Sequence, residues 1–261
     1  MKKKILIASL VVAVIAIAVV GGSLAWFTDN DSVENVFTIG SVEIEQHEQQ
    51  RNELGELVDF EQNKQLIPVI NNDDAKNDVN FQDKIVTVEN TGKNDAYVQT
   101  YVAVPASLDN AGVVHIYDKE ASTNGWEKVA DVDTATDGVQ PCFADVDIDG
   151  KKYNVYLYRY MDILPANSAT LSTTASVIDG VYIDMATDLD IIRDETTGDI
   201  TEAYFVINGT KVTDFDPTGN LYVYVATQGI QAKGFNDYES ALTSGFGTGI
   251  NSLPDFSIVN P

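Results

Sequence analysis

The sequence predicts an all-β protein, a jelly-roll-like β-sandwich with few short helices, preceded by an N-terminal signal helix. Short segments of alternating apolar and polar residues recur along the chain, separated by hairpin-type turns such as Asp149-Gly150 and Asn208-Gly209. Helix signals are few. The clearest covers residues 237–244, where Asn236 is predicted to cap the helix and Glu239 follows three residues later. Many short strands joined by turns are typical of sandwiches and jelly rolls.

Residues 1–25 have the layout of a secretory signal peptide. Three lysines precede the sixteen-residue segment Ile5–Val20, which is almost entirely apolar. Ser23 and Ala25 then supply the small residues that a signal peptidase recognises, so cleavage is predicted between Ala25 and Trp26. The alternative is an uncleaved membrane anchor, but this segment is shorter than the roughly 18 residues or more of a typical span. We therefore expect a secreted protein that contacts the membrane only through its uncleaved signal.

The mature chain of 236 residues would be strongly acidic. Without the three signal lysines it carries 13 basic and 40 acidic residues, a net charge of −27. Such a surface repels nucleic acid and anionic lipid, so neither is an expected partner. Cys142 is the single cysteine, which excludes an intramolecular disulfide. A secreted chain of this kind must be stabilised by core burial, by a metal or by assembly.

Alternation and turn residues place the strands of the domain. The predicted strands cover residues 84–89, 96–104, 144–149, 153–160, 169–178, 203–208, 211–215 and 221–228. The first two are predicted to form one β-hairpin, and the next two a second hairpin around Asp149-Gly150. In the fourth strand, Tyr156, Tyr158 and Tyr160 share one face, which predicts a tyrosine ladder that packs laterally.

The domain organisation follows from composition. Residues 26–45 are predicted to hold an N-terminal segment and the first strand, and residues 83–261 the remainder of the sandwich. Between them, residues 46–82 are rich in Glu, Gln, Asn and Asp, which predicts an acidic and polar insertion.

One motif suggests a metal. Asp145, Asp147 and Asp149 lie in "DVDIDG", which matches the opening of an EF-hand calcium loop, but the twelfth position of that loop is Tyr156 instead of the required Glu. The same aspartates alternate with apolar residues as an exposed strand face would, and this interpretation is favoured over calcium ligation. Motifs for zinc proteases, nucleophilic hydrolases and phosphate-binding loops are absent from the sequence, so no catalytic residue and no cofactor are predicted.

Four segments carry a family resemblance. "GGSLAWFTDNDSVENVFTIGSVEIE" (residues 21–45) resembles the N-terminal region of the TasA/camelysin family of Gram-positive bacteria. "VTVENTGKNDAYVQTYVAV" (86–104), "LPANSATL" (164–171) and "VATQGIQAKGFNDYESAL" (225–242) are similar to its central hairpin, a proline turn before a strand, and its C-terminal strand and helix. Residues 46–82 and 112–139 depart from the shorter family pattern as apparent insertions.

The resemblance implies a secreted structural protein of the extracellular biofilm matrix or cell surface, processed by an ER-type signal peptidase. In the TasA branch, the N-terminal segment of one subunit adds as a strand to the sheet of the next, so the expected partners are further copies of the chain and other matrix proteins. The donor segment would include Trp26, Phe27, Thr28, Asp29 and Phe37. Main-chain hydrogen bonds would supply affinity in such an addition.

Three alternatives stay open at this stage. The camelysin branch implies a cell-surface metalloprotease, although the chain has no recognised zinc motif. An acidic calcium-binding surface adhesin would use the three aspartates of residues 145–149. Finally, residues 27–35 could be a frayed leader on a monomeric domain, because chain ends are often poorly ordered.

Overall fold

The computed structural model describes residues 28–31, 42–62, 64–70, 72–130, 141–166 and 172–256, and these residues form an all-β sandwich. The predicted fold class is therefore confirmed. The predicted signal helix lies outside the described residues. Among the helices of the described ranges, none is long and apolar enough to span a membrane.

The elements follow one another in a largely antiparallel order. In chain order the strands are β1 (Thr28–Asp31), β2 (Ile44–Arg51), β3 (Leu57–Asp59), β4 (Gln82–Asn90), β5 (Ala96–Pro105), β6 (Val114–Tyr117), β7 (Trp126–Lys128), β8 (Phe143–Ile148), β9 (Lys151–Tyr160), β10 (Ile178–Ile183), β11 (Thr187–Arg193), β12 (Ile200–Ile207), β13 (Thr210–Lys211) and β14 (Tyr224–Gln231). The α-helices are α1 (Ala106–Ala111) and α2 (Tyr238–Phe246), and short 3-10 helices cover Asn72–Asn77 and Ile250–Ser252.

Two sheets make the sandwich. Sheet A has the order β1-β14-β5-β9-β7, with β8 also paired to β9, and sheet B has the order β3-β2-β4-β10-β6. A third sheet, with the order β11-β12-β13, shares a hydrophobic cluster with α1 and sheet B.

The main core lies between sheets A and B. Sheet B contributes Val86, Val88 and Ile178, and sheet A contributes Val102 and Val225, among others. A second cluster covers the opposite face of sheet A and includes Tyr101, Val155 and Phe256. Strand β5 is therefore buried on both faces. This explains why its apolar residues do not alternate with charged ones.

The predicted hairpin between residues 84–89 and 96–104 is wrong. Strand β4 pairs with β2 and β10 in sheet B, whereas β5 pairs with β14 and β9 in sheet A. The turn cluster between them carries the chain from one sheet across to the other. Alternation determines which side chains of a strand face the core, but it does not select the neighbouring strand, and here the two strands face each other across the core.

The second predicted hairpin is confirmed. Ile148 of β8 faces Lys151 of β9, and the intervening Asp149 and Gly150 have φ angles of 51° and 77°. Two positive φ angles are what a type I′ turn requires. The predicted turn at Asn208-Gly209 joins β12 to β13 in the same way, with φ angles of 50° and 79°.

Tyr156, Tyr158 and Tyr160 share one face of β9, and that face packs into the main core. Tyr156 and Tyr158 belong to the main core between the two sheets, and Tyr158 is fully buried. Their hydroxyl groups donate hydrogen bonds of 2.8 Å to Asp109 and 2.6 Å to Asp118. Burial, followed by these carboxylates, raises the pKa of both phenols well above the ordinary value. The sequence gives no sign of these distant acceptors.

Several predicted boundaries also need correction. Of the strand expected at 169–178, residues 169–171 lie outside the described part of the chain. Residues 172–177 are not in a strand, and β10 begins only at Ile178. The strand expected at 211–215 ends at Lys211. Residues 46–51, predicted as the start of an insertion, continue β2 within sheet B.

The cap of α2 differs from its prediction by one residue. Asp237 Oδ1 accepts a 2.7 Å hydrogen bond from the backbone N–H of Ser240, so the N-cap is Asp237 and not Asn236. A side-chain oxygen at this position satisfies one of the unpaired N–H groups of the first turn.

Candidate assembly edge

Strand β1 occupies one edge of sheet A and pairs with β14 in antiparallel orientation. Thr28 faces Ile230, Asp29 faces Gly229, Asn30 faces Gln228 and Asp31 faces Thr227. The other edge of β14 pairs with β5 over its whole length. Strand β1 therefore covers part of an edge that would otherwise present unpaired backbone groups.

The acceptor strand β14 is buried. Seven of its eight residues are inaccessible to solvent or nearly so, the exception being Gln231. Val225 packs in the main core, while Ile230 packs under α2 with Leu242 and Tyr97. Among the described strands only β1 and β5 pair with β14, so without β1 it would be an eight-residue edge strand supported on both faces. Strands of that kind readily pair with another chain.

A buried polar layer fixes β14 to both sheets. The Thr227 hydroxyl donates a 2.8 Å hydrogen bond to Gln46 Oε1 on β2. The Thr100 hydroxyl on β5 lies 3.0 Å from that of Thr227. Since Thr227 has one hydroxyl proton, Thr100 donates in this second contact. The position of β14 is thus determined by hydrogen bonds as well as by apolar packing.

The face of β14 that points away from the main core, which is also buried, carries a second polar contact. Gln99 Nε2 donates to Gln228 Oε1 at 2.8 Å and to the Tyr101 hydroxyl at 2.9 Å. Burial raises the pKa of Tyr101 to about 12. Tyr101 therefore remains a neutral phenol at physiological pH.

Gly229 allows β2 and β14 to approach closely. A Cβ atom at this position would lie 3.0 Å from Cγ2 and 3.1 Å from Cδ1 of Ile44. Ile44 begins β2, so the glycine lets the first residue of sheet B pack against the acceptor strand. Asp29 of β1 faces the same glycine.

The structure places only part of the predicted N-terminal site. The backbone of Thr28 and Asp29 forms the first half of β1. The predicted cleavage residues Ser23, Ala25 and Trp26, and the predicted donor residues Phe27 and Phe37, lie outside the described residues. The family resemblance implies a donor segment but indicates no acceptor strand within this chain, and β14 lies about 200 residues further along the chain.

The three candidate calcium ligands lie on the β8–β9 hairpin. Asp145, Asp147 and Asp149 are all exposed and alternate with buried residues. Asp147 Oδ1 accepts from the backbone N–H of Gly150 at 3.0 Å, and its Oδ2 lies 3.4 Å from Lys152 Nζ. Within the described residues these three carboxylates do not converge on a common point. This is the arrangement expected of an acidic exposed hairpin.

A different set of potential metal ligands converges on sheet B. Glu45, His47 and Glu89 each place one ligand atom within 4.8 Å of the others. Glu45 and Glu89 face each other across β2 and β4, and His47 Nε2 lies 3.0 Å from Glu89 Oε2. Sequence reasoning missed this group. The available signal was the "E-x-H" spacing, which places both side chains on one face of a strand.

Comparison with protein-family models, with curated proteins and with solved structures finds no match to this chain.

Proposed function

We propose that the protein is a secreted structural subunit of extracellular or biofilm-matrix fibres, and that subunits assemble by exchanging β1. The observation that carries the proposal is the pairing of β1 with β14 at the edge of sheet A. In this arrangement a subunit fills its own acceptor edge. In a fibre, the β1 of one subunit would fill the same edge of the next.

The chain is long enough for this exchange. Twelve residues, 32–43, separate β1 in sheet A from β2 in sheet B. At about 3.3–3.6 Å per residue, such a connection reaches at most roughly 40 Å. That length permits pairing either within one chain or with an adjacent copy. The free-energy difference between the two is small because the same backbone hydrogen bonds form in both.

The geometry of exchange favours open assembly. The donor strand and the acceptor strand are different surfaces of the subunit, so the contact is head-to-tail. Head-to-tail contacts produce filaments unless their rotation closes a ring. Growth would leave one unfilled β14 edge at one fibre end and one free β1 at the other.

The sequence supports the same proposal. The predicted signal peptide ends two residues before β1, so cleavage would release the donor strand from the membrane. The resemblance of residues 21–45 to the TasA/camelysin family implies a fibre subunit with an N-terminal donor. The predicted strongly acidic mature chain would remain soluble until it assembles.

Electron microscopy of two purified chains tests the proposal. One chain begins at Trp26 and contains β1, and the other begins at Val36 and lacks it. We expect filaments from the first chain and none from the second under the same conditions. Circular dichroism of the shorter chain should retain the β-sheet signal, because β1 provides only one short edge strand. Folded monomers from both chains at every concentration would refute the fibre proposal.

A further inference from the structure

Glu45, His47 and Glu89 lie together on the face of sheet B that points away from the main core. Their neighbours Ile44 and Val88 point inward and are buried. Glu45 and Glu89 occupy directly facing positions of β2 and β4, and His47 lies diagonally across from Glu89. Side chains in facing and diagonal positions of antiparallel strands are within reach of one another. The register of two adjacent strands therefore creates the group.

We propose that these three residues bind a single divalent transition-metal ion of the zinc class, which links β2 to β4. An imidazole nitrogen combined with two carboxylate oxygens suits zinc and similar ions better than calcium or magnesium, which prefer oxygen ligands alone. Water would complete the coordination shell on this solvent-accessible face.

The spacing of the ligand atoms fits one shared ion. Ligand atoms about 2.0–2.2 Å from zinc are separated from one another by roughly 3–4 Å. The observed mutual separations are within 4.8 Å, and the His47–Glu89 distance is already 3.0 Å. Small side-chain rotations would complete the approach. His47 Nε2 already lies against Glu89 Oε2, and metal binding would replace that contact, with Nε2 unprotonated, by bonds from both atoms to the shared ion.

Charge provides an independent argument. Carboxylates placed directly opposite each other on neighbouring strands repel. Among the ion pairs of the described residues, none joins Glu45 or Glu89 to a lysine or an arginine. The nearby Lys84 is paired with Glu48, which lies on the other face of β2. A divalent cation would neutralise this repulsion, which among the described residues only the contact of His47 with Glu89 offsets.

Isothermal titration with zinc chloride tests the site. The full chain is used in mild detergent and without a histidine tag, and binding and melting temperature are measured with and without EDTA. We expect one equivalent of zinc to bind and to raise the melting temperature, and calcium chloride to have no comparable effect. Replacing an outer-shell partner of a metal ligand costs about 10- to 100-fold in affinity. His47→Gln and Glu89→Gln, which remove direct ligands, should each weaken binding at least as much.

The control is His115→Gln. His115 Nε2 lies 3.2 Å from a carboxylate oxygen of Asp184, in a pair outside the proposed group. This variant should bind zinc like the wild type. The proposal is overturned if the wild type binds no zinc, or if His47→Gln and His115→Gln bind it equally, as a diffuse acidic surface would. The readout does not depend on filament formation, so its failure and that of the proposed fibre function can be distinguished.

Discussion

The hydroxyl of Thr227 donates a 2.8 Å hydrogen bond to Oε1 of Gln46, and this bond joins the two sheets of the sandwich inside the core. Both residues are buried, and neither is near the other in sequence. Thr227 also faces Asp31 of β1. The bond therefore ties the strand that accepts β1 to the strand that follows β1 in the chain.

Replacing Thr227 with valine should weaken the sandwich. The variant keeps the shape of the side chain but removes the hydroxyl that donates to Gln46 Oε1 and accepts from Thr100. Removing one partner of a buried hydrogen bond costs about 1–3 kcal/mol. Urea denaturation should report a loss of that size. Thr201→Val is the matched control on an exposed position of β12, and a similar loss in both variants would refute the interpretation.

Gly180 in β10 should tolerate no side chain. A Cβ atom there would lie 2.3 Å from Phe81 Cζ and 2.5 Å from the carbonyl oxygen of Gln82. The second clash involves backbone and cannot be relieved by a rotamer change. Gly180→Ala should therefore lower the free energy of unfolding by about 1–3 kcal/mol. Gly219→Ala, whose nearest contact would be 3.5 Å away, should be close to neutral in the same denaturation experiment.

The buried tyrosines should make the protein sensitive to alkali. Burial, and then Asp118, raises the pKa of Tyr158 above the value of about 10 that it has in the unfolded chain. Its contribution to stability is complete below pH 10 and is lost as the pH rises further, because only the unfolded state then releases the phenol proton.

Tyr158→Phe tests this linkage. The variant should lose about 1 kcal/mol at pH 7 because one hydrogen bond is gone. Above pH 10, its stability should fall less steeply than that of the wild type, by up to about 1.4 kcal/mol per pH unit. Denaturant titrations from pH 8 to pH 11.5 measure both slopes. Parallel slopes of stability against pH for the two proteins would contradict the attribution of this alkaline sensitivity to Tyr158.

Local sequence signals predicted the parts of the fold that depend on neighbouring residues. The turns at Asp149-Gly150 and Asn208-Gly209 were predictable because few residue pairs adopt two positive φ angles readily. The β8–β9 hairpin followed directly from its turn. The fold class followed from many short alternating segments.

Long-range pairing could not be predicted in the same way. The choice of β2 and β10 as partners of β4, instead of β5, depends on packing between distant segments. The hydroxyl of the buried Tyr158 finds its acceptor in Asp118, forty residues away. The convergence of Glu45, His47 and Glu89 likewise requires the register of β2 against β4, which no local pattern specifies.

The most direct test of the proposed function asks whether β1 pairs with β14 of its own chain or of another. Asn30 faces Gln228 in the register, and facing residues of antiparallel strands lie within the Cα separation that a disulfide requires. Two chains that begin at Trp26, one with Asn30→Cys and one with Gln228→Cys, are mixed in a Cys142→Ala background and oxidised. A chain with both substitutions shows whether the cysteines react within one molecule.

The fibre proposal predicts disulfide-linked chains of mixed type, accumulating as filaments form. If β1 pairs only with β14 of its own chain, the mixture yields no disulfide between the two kinds of chain, and the doubly substituted chain forms its disulfide within one molecule. That pair of results would contradict the proposal.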